Sequence, residues 1–154
     1  EKELIMAKIQ PYITFNNTKE ALDYYKAVLG ATHISRMPVA AEQAEQFGVP
    51  LEKAADLTMH SQFDILGSTI MAADNFMKVD PLVYDAVYIL IDLDSEDEKA
   101  LAEADAFWDK AVESGTVTVN LPFETQFWGG KMGDFTDKYG VRWMLHAQPY
   151  SKLP

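Results

Sequence analysis

KIQPYITFNNTKEALDYYKAVLG, residues 8–30, places a strand directly before a helix, and its return later in the chain decides the fold. In residues 8–15, Ile9, Ile13 and Phe15 alternate with Gln10, Tyr12 and Thr14, the period of a half-buried strand. Asn17 with Glu20 three residues on forms a capping pair. Ala21, Leu22, Tyr25, Val28 and Leu29 recur at helical spacing, and Gly30 closes the helix. The same order reappears at residues 85–115. DAVYILIDL alternates Val87, Ile89 and Ile91 with Tyr88, Leu90 and Asp92. Ser95 and Glu98 form a capping box. Ala100, Leu101, Ala104, Phe107, Trp108, Ala111 and Val112 then make one apolar stripe, ended by Ser114-Gly115.

Each strand–helix unit is followed by one strand and a hairpin. After the first helix, THISRMP (32–38) reads as a strand, and residues 38–56 as an excursion with a helical turn. LTMHSQFDIL and STIMAAD form a hairpin about Leu66-Gly67. This register puts Gln62 opposite Met71 and His60 opposite Ala73. Met59, Phe63, Ile65 and Ile70 then share one face, and His60, Gln62, Asp64, Thr69 and Met71 the other. In the second half TVTVNL (116–121) reads as a strand, and residues 122–130 as an aromatic loop ending in Trp128-Gly129-Gly130. KMGDFTDKYGVRWMLHAQ (131–148) is a second hairpin. Val141, Trp143 and Leu145 face its helix, and Arg142, Met144 and His146 face away.

Two spacings match between the halves. Gln10 stands seven residues before the cap Asn17, and Tyr88 seven before Ser95. Met71 stands four after Gly67, and Met144 four after Gly140. The expectation is an α+β fold of two βαβββ modules paired around a cleft, in one domain. The first half spans about residues 8–75, a linker residues 76–82, and the second half about residues 83–149. Each module leaves one sheet face incompletely covered, so the two faces are expected to close on each other.

Composition narrows the function. Of 154 residues 48% are apolar, enough for a real core. No cysteine is present, which excludes disulfides, thiolate nucleophiles and Cys-ligated metal centres. A net charge of −11 argues against nucleic acid as a partner. The acidic run from Asp92 to Glu103 reads as a solvated helix face. No apolar run approaches the roughly 18 residues that span a bilayer, so no membrane partner is expected. Residues 1–15 do not have the pattern of a signal peptide, which predicts a cytoplasmic protein. No Ser/His/Asp spacing, phosphate-binding loop or His-x-x-x-His pattern supports hydrolase or kinase chemistry.

YITFNNTKEALDYYKAVLGA (12–31) resembles the opening signature of the vicinal oxygen chelate superfamily, which includes glyoxalase I, bleomycin-resistance proteins and extradiol dioxygenases. HSQFDILGSTIMAAD (60–74) and FWGGKMGDFTDKYGVRWML (127–145) are similar to its PhnB-like branch. The resemblance runs from about Ile9 to Gln148, and FTDKYGVRWML is its most specific segment. Some members of the branch carry a name from a ubiquinone-pathway methyltransferase, but no Gly-rich loop follows a strand here to cradle such a cofactor. In metal-dependent members four ligands project into the cleft, and the resemblance places those positions at Gln10, Met71, Tyr88 and Met144. Gln10 fits the pattern. Met71 and Met144 stand where a carboxylate is expected, and Tyr88 where a histidine is expected. Thioethers are poor ligands for a hard divalent ion.

The expected site is therefore a small-molecule cleft without a metal cofactor, lined by Gln10, Tyr12, His60, Met71, Tyr88, Trp128, Arg142, Met144 and His146. His60 and His146 each read either as a general base or orienting group, or as a hydrogen-bonded strand residue. His33 is expected at the surface. Arg142 reads as a clamp for a ligand carboxylate or phosphate, or as the ion-pair partner of Asp64, Asp92 or Asp134. Tyr12, Tyr88, Met71, Met144 and Trp128 either line a cavity for planar ligands or fill the space themselves. The leading expectation is a metal-free binding protein of the resistance or sequestration type. The alternative is a metal-dependent lyase, isomerase or dioxygenase using His60, His146 and Gln10 as unconventional ligands of a divalent ion. No catalytic residue is assigned. A homodimer is expected, because exposed sheet edges need covering and the aromatics suit an interface.

Overall fold

The structure is a computed structural model in which residues 6–154 are described. The reading of the first fifteen residues rests partly on residues 1–5, which lie outside the described residues. Contacts divide the chain into two compact units between Leu82 and Val83.

In the first unit, β1 (Tyr12–Phe15) leads into α1 (Thr18–Leu29) and then β2 (Thr32–Pro38). The short helix α2 (Ala41–Gln46) and a 3-10 turn at Leu51–Asp56 fill the excursion, and β3 (Thr58–Ile65) and β4 (Ser68–Asp74) form the hairpin. The sheet order is β1-β4-β3-β2, with β1 parallel to β4 and the other pairs antiparallel. Leu66 and Gly67 both take positive φ, 47° and 84°. That conformation makes the two-residue turn, and it sets the expected register of Gln62 opposite Met71.

The second unit repeats the pattern with β5 (Tyr88–Asp94), α3 (Glu98–Glu113), β6 (Thr118–Thr125), β7 (Lys131–Thr136) and β8 (Arg142–Gln148). Its sheet order is β5-β8-β7-β6, again with the first pair parallel. Each unit is thus a βαβββ module, and the fold class is α+β. No helix among the described residues is long and apolar enough to cross a membrane.

Helix periodicity and strand alternation meet in each core. Tyr25 of α1 stacks on Phe63 of β3 with ring centroids 5.4 Å apart, and both are fully buried. In the second unit Trp108 and Phe107 of α3 cover Phe135 and Phe123. Trp143 pairs with Phe135 across β7–β8 and is 1% exposed. Burying one such side chain stabilises by about 1.5–3 kcal/mol. Buried carboxylates tie the loops. Asp74 accepts from the backbone N–H of Thr18 at 2.9 Å and of Thr58 at 3.1 Å, so it anchors the start of α1 to β3.

Several expectations are corrected. The cap of α3 is Asp97, whose side chain accepts from the N–H groups of Lys99 and Ala100, and Ser95 lies in the preceding turn. Aspartate at that point takes the two free N–H groups that Ser95, two residues earlier, does not reach. Ile9 and Val87 are exposed because each precedes its strand, and Val112 is exposed at the margin of the α3 stripe. β6 continues through Thr125, into the stretch expected to be a loop. Pro122 fits there because β6 is an edge strand with no partner on one side.

Candidate functional site

The face of the second sheet opposite α3 carries a grid of side chains set by pairing. Across β5, β8 and β7 its rows are Tyr88–Arg142–Thr136, Leu90–Met144–Asp134 and Asp92–His146–Met132. Alternation along β8 puts Val141, Trp143, Leu145 and Ala147 into the core and leaves Arg142, Met144, His146 and Gln148 half-buried on this face. Charged and polar groups thus stand beside Leu90, Met144 and Met132 on one surface.

The Arg142 guanidinium lies over the Tyr88 ring, 4.1 Å from its centroid. Its Nη1 donates to the Asp85 carbonyl at 3.2 Å, and its Nη2 is 3.9 Å from Asp134 Oδ1. Of the three ion-pair partners considered for Arg142, Asp134 is therefore the one beside it. Two rows along, His146 Nδ1 is 3.0 Å from Asp92 Oδ1. Gln148 and the Tyr150 hydroxyl also donate to Asp92. Burial first, and then the Asp92 carboxylate, hold the Tyr150 phenol above its ordinary range, so the hydroxyl keeps the proton it donates. Trp128, half exposed, stands with its ring centroid 6.5 Å from that of His146. Three buried polar atoms on this face lack a hydrogen-bond partner: Asp134 Oδ1, Arg142 Nε and His146 Nε2.

The first unit presents a sparser face. Met71 pairs with Tyr12 and with Gln62, and the Tyr12 hydroxyl is 3.3 Å from His60 Nδ1. Gln10 lies half-buried just before β1. His33 is exposed, with φ of 49° and Nδ1 at 3.3 Å from Asp64. Of the nine expected site residues, Gln10, Tyr12, His60 and Met71 belong to the first unit and Tyr88, Trp128, Arg142, Met144 and His146 to the second. The structure joins Tyr12 with His60, Tyr88 with Arg142, and Trp128 with His146. The sequence reading missed Gly130, Gln148 and Tyr150, and it weighed Asp92 only against Arg142. Their signal was weak, because each acts through a neighbour on another strand or turn.

The sequence model of a family described as 3-demethylubiquinone-9 3-methyltransferase matches residues 7–146. The chain belongs to that family. Protein YjdN of Escherichia coli strain K12 is 26% identical over 146 residues, covering 90% of this chain and 94% of that protein. The crystal structure of protein PA1353 from Pseudomonas aeruginosa is 28% identical, with 93% and 98% coverage and a TM-score of 0.64. The PhnB protein from Bacillus cereus, whose name carries the same methyltransferase description, is 21% identical with a TM-score of 0.58 over 92% and 99% of the chains. A glyoxalase/bleomycin resistance/dioxygenase protein from Nocardioides shares the fold at 15% identity, with a TM-score of 0.58 over 98% and 90%. The family match, and the fold shared with the PhnB and glyoxalase/bleomycin resistance/dioxygenase structures, accord with the PhnB-like resemblance. The superfamily implies a metal in some members, and the side chains here do not fit one. Met71 and Met144 offer thioethers, and a cation beside Tyr88 meets the positive charge of Arg142 lying on that ring.

Proposed function

We propose that this PhnB-like chain is a metal-free small-molecule-binding protein of the resistance or sequestration type. Its ligand lies on the open face of the second sheet, over Tyr88, Leu90, Arg142, Met144 and His146, with Trp128 at one end. The carrying observation is the set of buried atoms without a hydrogen bond on Asp134, Arg142 and His146, placed beside apolar side chains on one surface. Buried polar atoms usually have partners, and a ligand with polar groups on a flat apolar body supplies them. Gln10, Tyr12, His60 and Met71 belong to the same reading as a second contact set. The thioethers and the Arg142 charge argue against the divalent-ion alternative, so no lyase, isomerase or dioxygenase step is assigned. The same reading includes a homodimer in the cytoplasm, with no nucleic-acid or membrane partner, in keeping with the net charge of −11.

The test is thermal unfolding with a panel of aromatic and amphipathic compounds, alongside metal analysis of protein purified without chelators. A ligand at a hundred times its Kd stabilises by about 2.7 kcal/mol, a rise of roughly 5–10 °C in Tm for a chain this size. Tyr88→Ala should shrink the shift. No hit in the panel, a shift unchanged in Tyr88→Ala, or stoichiometric zinc, iron, nickel or manganese would refute the reading.

A further inference from the structure

His146 is held from behind and covered in front. A carboxylate only accepts hydrogen bonds, so with Asp92 Oδ1 at 3.0 Å a proton sits on Nδ1, and in the neutral form of the ring the lone pair is on Nε2. Asp92 is itself fixed. Gln148 Nε2 lies 3.2 and 3.4 Å from its two oxygens, and the Tyr150 hydroxyl donates to Oδ2 at 3.2 Å. Nε2 is shut off from solvent and has no hydrogen-bond partner. A Cβ added at Gly130 would lie 2.9 Å from Nε2 and 2.7 Å from Trp128 Nε1. The His146 and Trp128 ring nitrogens therefore both lie against one stretch of backbone, where any side chain larger than that of glycine would meet them.

We propose that this corner is a proton-accepting site for a neutral, weakly acidic hydroxyl compound, a phenol or an enol. His146 is the base, Asp92 its positioning residue, and the Trp128 indole the donor to the ligand oxygen. The inference rests on the reading of this face as a ligand site. In the step, the ligand O–H bond breaks and its proton passes to Nε2, while the electron pair stays on the oxygen. The imidazolium keeps Nδ1–H on Asp92, and the indole N–H donates to the new oxyanion. The charges set the class. Asp92 of β5 touches His146, the Tyr150 hydroxyl of the C-terminal turn donates to Asp92, and Met132 of β7 stands beside His146 with Glu124 of β6 next in the row. Arg142 stands two rows away, between Tyr88 and Asp134. An anion would meet the Asp92 carboxylate here, whereas a neutral acid acquires charge only once its proton has gone to His146. The Phe127 ring, 97% exposed and edge-on to Trp128 at 5.0 Å, adds an apolar wall at right angles to the indole. Trp128, half exposed, shares the Gly130 backbone with Nε2, and exposed side chains change rotamer in picoseconds to nanoseconds.

The probe is 4-nitrophenol, whose phenolate is yellow, with binding followed by equilibrium dialysis and ionisation by absorbance. Bound to the full chain, it should ionise at least one pH unit below its solution value, about a tenfold rise in the phenolate-to-phenol ratio. Asp92→Asn should reduce that shift, and His146→Gln should abolish it while the phenol still binds. Independently, diethyl pyrocarbonate should modify exposed His33 readily and His146 slowly, with His146 approaching the rate of His33 in Trp128→Ala. A probe that binds without ionising, an equal shift in His146→Gln, or His146 reacting as fast as His33 in the unsubstituted protein would overturn the inference. No binding of 4-nitrophenol would also overturn it. In each case stabilisation by other aromatic compounds would leave the wider reading of the face standing.

Discussion

Replacing Asp137 with alanine should loosen the strand that carries Arg142, Met144 and His146. The side chain is 5% exposed and closes the β7–β8 hairpin. Oδ1 accepts from the N–H groups of Tyr139 at 2.8 Å and Val141 at 3.1 Å, and Oδ2 accepts from the Trp143 indole at 2.9 Å. Alanine leaves three donors without this acceptor. The Val141 N–H and the Trp143 indole are buried, and each costs about 1–3 kcal/mol when stranded, whereas the Tyr139 N–H is only part-buried and is left out of the sum. The expected loss is about 2–6 kcal/mol, a large share of the roughly 5–15 kcal/mol that holds a domain of this size together. Urea unfolding of Asp137→Ala, Trp143→Phe and the double variant, followed by far-ultraviolet circular dichroism, measures the coupling directly. The ring volume lost in Trp143→Phe cancels in the cycle, which leaves the charged hydrogen bond at about 1.5–3 kcal/mol. A coupling below about 0.5 kcal/mol would refute the assignment of Asp137 as the clamp that fixes β8.

Gly133→Ala should destabilise by about 1–3 kcal/mol in the same urea assay. Its Cβ would fall 2.7 Å from Phe123 Cα and 2.8 Å from Phe123 N, and backbone cannot yield as a flexible side chain can. A near-neutral result would show that β6 and β7 are not so closely apposed. The Tyr150 phenol should titrate above the ordinary tyrosine range at 295 nm, in a component that Tyr150→Phe removes, because burial and then Asp92 raise it. A phenol raised on folding contributes stability that is present below its unfolded pKa of about 10 and is lost as pH rises through the folded value. Titration at the ordinary value would mean that Tyr150 does not rest on Asp92.

Local signals carried the modules. Ala21, Leu22, Tyr25, Val28 and Leu29 marked α1, and Trp143 with Leu145 marked the buried side of β8, because a helix and a strand impose different apolar periods on adjacent residues. The Leu66-Gly67 turn was legible for the same reason, and it determined the Gln62–Met71 register. The equivalence of Gln10 and Tyr88 stands, but on different ground from the cap spacing, since Tyr88 lies nine residues before the true cap Asp97. It rests on the ladders. Tyr12 pairs with Met71 and Leu90 with Met144, and Gln10 and Tyr88 each stand two residues earlier. A cap is a local choice of the turn before the helix, whereas a ladder register is a long-range one. The candidate site divides in the same way. Alternation along the strand is enough to put Arg142, Met144 and His146 on the face away from the core. Only the tertiary structure decided that Asp92 backs His146, that Tyr88 lies under Arg142, and that Gly130 leaves room for two ring nitrogens. Asp92 and Tyr88 lie tens of residues from His146 and Arg142 in sequence, and it is strand pairing, rather than any local pattern, that brings each pair into contact.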